Sequence, residues 1–202
     1  MKLYYAPGAC SLAPHIIIRE AKLDVALDRV SFGKERLTED GQNFYAINPQ
    51  GAVPVLRLDS GETLTEAQVL MQYLASLAPQ EQLMPTEGFA RWRALETLNF
   101  IATELHKGHG PLFKKPSDDV KEATLALLAN RFALLDRKLG EKAYLLGNDF
   151  SIADAYAFVT LRWAKNFKVD LSGLPMIEAY YQRILARPAV QQALQEEGLP
   201  TT

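Results

Sequence analysis

One cysteine, three histidines and a glutamate at a helix start carry most of the chemistry open to this 202-residue chain. Cys10 follows Tyr4-Tyr5-Ala6-Pro7-Gly8-Ala9 and directly precedes Ser11, where a helix is expected to open. The unpaired N–H groups and positive dipole end of a helix start favour a thiolate, lowering a thiol below its usual value of about 8.5. The same position also suits a small buried filler, a common use of free cysteine. Ser11, Leu12 and Ala13 follow, with no second cysteine. An internal dithiol–disulfide cycle is therefore excluded, and any redox role needs an external thiol.

Val53-Pro54 precedes a strand candidate. Cis bonds make up only about 5–6% of X-Pro bonds in folded proteins, so the residues by themselves predict a trans bond. A cis bond would leave the backbone N–H and C=O of Val53 open to an extended, peptide-like ligand, in the manner of strand addition. Glu66 and Ala67 fall in the first turn of a helix. An acid there can simply complement the dipole. Alternatively, the first-turn N–H groups bind a carboxylate while Glu66 pairs with an ammonium, together holding the zwitterionic end of an amino acid. His106 aligns with Asn99 and Thr103 at spacings of 4 and 3, a polar stripe beside the apolar row Leu95, Leu98, Ala102 and Leu105. Such a stripe is either a buried hydrogen-bond row or the wall of a cleft. His15 and His109 read as structural, and the scattered ligands match no zinc spacing, so no metal site is expected.

These groups need elements to place them. Residues 2–5 form a strand candidate stopped by Pro7-Gly8, residues 11–22 a helix, and residues 25–32 a second strand. Strand, helix, strand in that order predicts a parallel pair. Residues 33–50 are polar and turn-rich. Pro54 cannot donate to a ladder and so opens the next strand, which returns through Asp59-Ser60-Gly61-Glu62 to Thr63-Leu64. Thr65 and Gln68 have capping-box spacing, predicting a helix to about Leu77. The order is βαβ then ββα, an α/β unit over residues 1–80. The stretch 78–86, with Pro79 and Pro85, holds the linker, placed at 81–86.

Residues 87–202 read as all helical. One helix is expected over residues 91–109, and another from the row Leu125, Leu128, Phe132, Leu135 and Leu139. Residues 152–164 are apolar on nearly every side, as in a central buried helix, and Ser151 and Asp154 can cap it reciprocally. Pro175 and Pro188 fit the first turns of two more helices.

The balance of 22 basic and 24 acidic residues gives −2, which argues against a nucleic-acid binder. No apolar run approaches the ~20 residues of a membrane span, and Pro7 comes too early for a secretory leader. A cytoplasmic protein is expected. Dinucleotide-binding, phosphate-loop and nucleophile-elbow motifs are absent.

In order and spelling, the chain resembles the cytosolic glutathione S-transferases, most closely the bacterial beta class. The resemblance rests on Lys2-Leu3-Tyr4-Tyr5-Ala6-Pro7-Gly8-Ala9-Cys10-Ser11-Leu12, Asn48-Pro49-Gln50-Gly51-Ala52-Val53-Pro54 and Leu64-Thr65-Glu66-Ala67. It continues in the stretch from Leu98 to Gly108 and in Phe150-Ser151-Ile152-Ala153-Asp154-Ala155-Tyr156. The resemblance implies a thioredoxin-like domain followed by an all-α domain, assembled as a homodimer, with Pro54 cis. It implies glutathione as co-substrate, Val53 pairing with its cysteinyl backbone and Glu66 and Ala67 holding its γ-glutamyl end. Cys10 would lie beside the glutathione sulfur, with His106 near it as hydrogen-bond donor or acid/base partner. Asn99, Thr103, Glu104 and Leu105 match positions lining the same site, some from the neighbouring subunit. The implied activity is conjugation of glutathione to small hydrophobic electrophiles in detoxification, in a pocket near Ala9, Leu112, Phe113 and Trp163, with thiol/disulfide exchange through Cys10. A glutaredoxin-like monothiol reductase and a non-catalytic binding protein of the same fold are the alternatives. One departure stands out: Glu35 occupies the place of a family lysine, leaving Lys34 or Arg36 to meet the glycine carboxylate.

Overall fold

In a computed structural model of the chain, which describes residues 1–33 and 35–201, the aromatic-rich start forms β1 (Lys2–Tyr5). It pairs in parallel with β2 (Ala26–Arg29), Leu3 opposite Leu27, and antiparallel with β3 (Val55–Arg57), Leu3 opposite Leu56. A short β4 (Thr63–Leu64) completes a sheet ordered β2-β1-β3-β4. This is the expected βαβ-ββα order, with β2 shorter than the predicted 25–32. The period of two sends alternate β1 residues to opposite faces. Tyr5 meets His15 of helix α1 (Leu12–Glu20), whereas Tyr4 meets Phe44 on a 3₁₀ turn over Phe44–Ala46. Tyr4, Ala6, Val30, Phe44, Val53 and Val55 close one apolar cluster, with Ala9 and Ile47 against it.

Helix α2 (Ala67–Ser76) packs on α1. Its capping differs from expectation. The cap is Glu66 at φ 68°, ψ 111°, with no side-chain cap bond, so the Thr65/Gln68 box does not form and the helix starts at Ala67.

The chain divides into two compact units, one of residues 1–82 with 187–202, the other of residues 83–186. Residues 187–202, expected with the helical half, thus belong with the sheet. The reason is polar as well as apolar. Helix α7 (Pro188–Glu196) lies against α1 with Val190, Ala193 and Leu194 fully buried. Buried His15 sits between Glu197 (2.9 Å) and Glu196 (2.7 Å). Arg19 reaches Glu196 at 2.7 Å, and Arg187 pairs with Glu20 at 2.6 Å.

The second unit holds α3 (Gly88–Phe100), α4 (Asp118–Leu139), α5 (Ile152–Asn166) and α6 (Pro175–Leu185). Apart from Arg162, α5 is buried from Ile152 to Ala164. Asp154 closes its start, accepting from the Ser151 N–H (2.8 Å) and hydroxyl (2.6 Å), as the spacing predicted. The Leu145 N–H (2.9 Å) and Tyr180 hydroxyl (2.8 Å) converge on its other oxygen. The expected helix over residues 91–109 is broken. After α3 the chain takes a π turn over Ile101–His106 and a 3₁₀ stretch over Lys107–Lys114, where Gly108, Gly110 and Pro111 disfavour α-helix. The buried row is Ala94, Leu98, Ile101 and Leu105, with Leu95 and Ala102 only half-buried. Among the described residues, no helix is long and apolar enough to cross a membrane.

Candidate active site

In the sheet-bearing unit, Cys10, Val53 and Glu66 come together. The turn before α1 is held by Ser11, whose hydroxyl bonds the Ala6 C=O (3.2 Å) and accepts from the Ala6 N–H (3.1 Å). Ser11 therefore braces the turn rather than capping the helix. Gly8 adopts φ 70°, and its N–H donates to the buried Glu197 carboxylate at 2.8 Å. Cys10 is thereby presented at the helix start, its thiol donating to the Val53 carbonyl at 3.2 Å.

Of the two readings open for Cys10, the thiol lacks the lowered pKa that a helix start by itself would favour. Burial pushes it up to about 12, outweighing the N–H groups of Cys10 and Ser11 that favour the thiolate, and the Glu66 charge adds to the rise. The helix start does act in the direction anticipated. Desolvation is the larger effect.

The Val53-Pro54 bond is cis, as the family resemblance implied and against the ordinary frequency of such bonds. The turn before it is tied by buried Asn48, whose amide donates to the Ala52 C=O at 2.7 Å and whose oxygen accepts from Gln50 N–H at 3.2 Å. Gly51 adopts φ 62° there, a conformation that strains residues with a β-carbon, and an added Cβ would also meet the Tyr45 ring. Glu66 is exposed at the head of α2, in a backbone region that non-glycine residues rarely occupy. Ala67 is buried behind it, and its N–H and that of Gln68 head the helix with no intrahelical partner. Glu35 is exposed. Arg36 is half-buried, its guanidinium 4.6 Å from the centre of the Phe32 ring and 6.0 Å from that of Tyr45. Lys34 lies outside the described residues.

In the helical unit, Asn99 and Thr103 are exposed, the Thr103 hydroxyl bonding the Asn99 C=O at 3.0 Å. Glu104 pairs with Arg131 at 2.6 Å. Leu105 turns into the core, and its carbonyl is taken by His109 at 2.7 Å. His106 is half-buried, with Nδ1 2.6 Å from the Tyr156 hydroxyl and its ring edge-on to Trp163 at 5.0 Å. Burial, helped by neighbouring His109 and Lys107, lowers its pKa to about 4, so the ring is neutral at pH 7. Trp163 also meets the largely exposed Phe113 at 5.3 Å, with buried Leu112 beside it. Sequence reasoning quoted Tyr156 only as part of a motif and gave it no role. Its signal was a phenol hydroxyl on a buried aromatic side chain, which demands a partner.

A family profile described as "Glutathione S-transferase, N-terminal domain" matches residues 8–77, and one described as "Glutathione S-transferase, C-terminal domain" matches residues 100–188. The chain is 46% identical over 201 residues to glutathione S-transferase GstA of Escherichia coli O157:H7, covering 98% of this chain and 100% of that one. It is similar to a sphingomonad glutathione S-transferase solved in complex with glutathione (44% identity, TM-score 0.94, 99% and 100% coverage). A bacterial beta-class glutathione S-transferase of Sphingomonas chungbukensis is likewise similar (42% identity, TM-score 0.94, 99% and 100% coverage). With both halves matched and the likeness running end to end, the chain belongs to the glutathione S-transferase family, in its bacterial beta class.

Proposed function

We propose that this protein conjugates the thiolate of glutathione to small hydrophobic electrophiles and secondarily exchanges glutathione mixed disulfides through Cys10. The observation carrying this reading is the convergence of the Cys10 thiol, the Val53 carbonyl and the Glu66 charge beside the open N-terminus of α2. The α2 N–H groups of Ala67 and Gln68 receive the γ-glutamyl carboxylate, and Glu66 receives the ammonium. Val53 pairs with the cysteinyl backbone, which delivers the glutathione sulfur to Cys10.

A thiol held protonated is a poor nucleophile but a serviceable hydrogen-bond donor. In conjugation the glutathione thiol loses its proton, its sulfur attacks the electrophilic carbon, a C–S bond forms and the leaving group departs with the old bond's electron pair. In exchange, the Cys10 thiol loses its proton and attacks a mixed disulfide, releasing the partner thiol and leaving Cys10 linked to glutathione. A second glutathione then frees it as oxidised glutathione. Asn99, Thr103, Glu104, Leu105 and His106 are the helical unit's contribution, with His106 acting on the sulfur, and Leu112, Phe113 and Trp163 offer apolar surface to the electrophile. The first 80 residues, completed by residues 187–202, serve as the glutathione domain and residues 87–186 as the helical one, in a cytoplasmic homodimer.

Rates with a chloronitrobenzene and with a glutathionylated thiol test the proposal. Cys10→Ala is expected to retain conjugation and lose mixed-disulfide reduction; undiminished reduction rejects the role of Cys10. His106→Ala is expected to weaken glutathione use, and an unaltered pH–rate profile and affinity would count against it. Failure of the wild-type protein to bind a glutathione resin overturns the whole reading.

A further inference from the structure

His106 has two ring nitrogens, and the helical unit distinguishes them. Tyr156 and Trp163 lie seven residues apart, about two turns on one side of α5, and both are buried. The His106 ring stands edge-on to each, 5.7 Å and 84° from Tyr156, 5.0 Å and 70° from Trp163. The Tyr156 hydroxyl is 2.6 Å from Nδ1. Between a phenol and a neutral imidazole, the phenol O–H is the stronger donor and the ring nitrogen the stronger acceptor. Burial and the neighbouring Lys107 and His109 keep the ring neutral at pH 7. A neutral ring that accepts at Nδ1 carries its proton on Nε2. That nitrogen has no hydrogen-bond partner among the described residues and is not shut off from solvent.

We propose that Tyr156 is a positioning residue whose hydroxyl locks the His106 ring in the Nε2–H tautomer, so that His106 acts on the glutathione sulfur as a hydrogen-bond donor and not as its base. The proposal deepens the function given above and rests on it. The thiol proton then leaves to solvent, and the Nε2–H bond lowers the energy of the thiolate left behind.

The molecule carries its own reference. His109 Nδ1 lies 2.7 Å from the Leu105 carbonyl, which can only accept, so His109 holds the opposite, Nδ1–H tautomer.

Two-bond ¹⁵N–¹H imidazole spectra of the full-length, ligand-free protein at pH 7 test this. The three histidines are assigned by single His→Gln variants. His106 is expected to give the Nε2–H pattern and His109 the Nδ1–H pattern. In Tyr156→Phe, which keeps the ring and removes the hydroxyl, the His106 signals should move toward the averaged values of an unrestrained ring while those of His109 stay. An Nδ1–H pattern at His106 in the wild type, or an unchanged one in Tyr156→Phe, overturns the proposal.

For conjugation, Tyr156→Phe should lower kcat/KM roughly tenfold, the weight of one ordinary hydrogen bond, and raise the pH at which bound glutathione ionises. On a His106→Gln background, whose amide supplies an N–H without help from Tyr156, the second substitution should add no further loss; a full second tenfold loss overturns the mechanism. The wild-type spectra need neither a folded variant nor any activity. Failure of the tautomer assignment and failure to use glutathione are thus separate results.

Discussion

Two residues show how the surroundings set the chemistry of a side chain. Cys10 occupies a helix start that favours the thiolate, yet burial holds the thiol up to about 12. Glu66 occupies φ 68° with a β-carbon, a conformation that costs of order 1–3 kcal/mol in non-glycine residues. Persistence of such a residue where a charge is useful motivates a prediction. Glu66→Gly should hold or raise the denaturant midpoint while glutathione affinity, read by calorimetry, falls roughly tenfold through loss of one charge-assisted bond. A lowered midpoint with affinity intact would contradict it. His106 supplies a pH prediction. Its folded value of about 4 lies below the ordinary 6.5, so as pH falls the unfolded chain takes up the proton first. The associated stability is complete above about pH 6.5 and is lost as pH falls through about 4, amounting in full to about 3 kcal/mol. Burial lowers His109 as well, adding in the same direction. Urea midpoints across pH 4–7 should therefore decline toward acid, and less steeply in His106→Gln.

At the level of elements, one spacing had two outcomes. Ser151 and Asp154 form the box that Thr65 and Gln68 do not. Around Asp154 the box is sealed, and the Leu145 N–H and Tyr180 hydroxyl add to it. At α2 the backbone of Glu66 turns to positive φ and shifts the cap by one residue. Asp154→Ala strands two buried N–H groups and two hydroxyls at once, and should cost about 3–5 kcal/mol in chemical unfolding. Ser151→Ala should cost only about 1–2 kcal/mol. Equal losses would show that the interactions beyond the cap contribute nothing. The π turn at Ile101–His106 is the other element-level result: it ends α3 at Phe100 and carries His106, which lies half-buried against α5.

For the whole molecule, the chain's end is part of its beginning. Residues 187–202 complete the sheet-bearing unit through the burial of Val190, Ala193 and Leu194 and through His15 between Glu196 and Glu197. Glu197 also holds the Gly8 N–H, two residues before Cys10. A chain ending at Ala186 should lose hydrogen-exchange protection throughout α1 and β1 and retain it in α4 and α5. Preserved protection in α1 would show that α7 is dispensable.

Periodicity, proline placement and turn chemistry in the sequence were enough to determine the βαβ-ββα order, the buried helix α5 and its Ser151/Asp154 cap. Each of these is a local pattern whose partners lie within a few residues or repeat at a fixed spacing. The family likeness, legible in short motifs, carried the cis Val53-Pro54 bond that local preference opposes. Tertiary structure alone decided the protonation of Cys10, the partnership of His106 with Tyr156 fifty positions on and the home of α7. Desolvation and long-range hydrogen bonds depend on what is packed nearby, and no window of neighbouring residues contains that information.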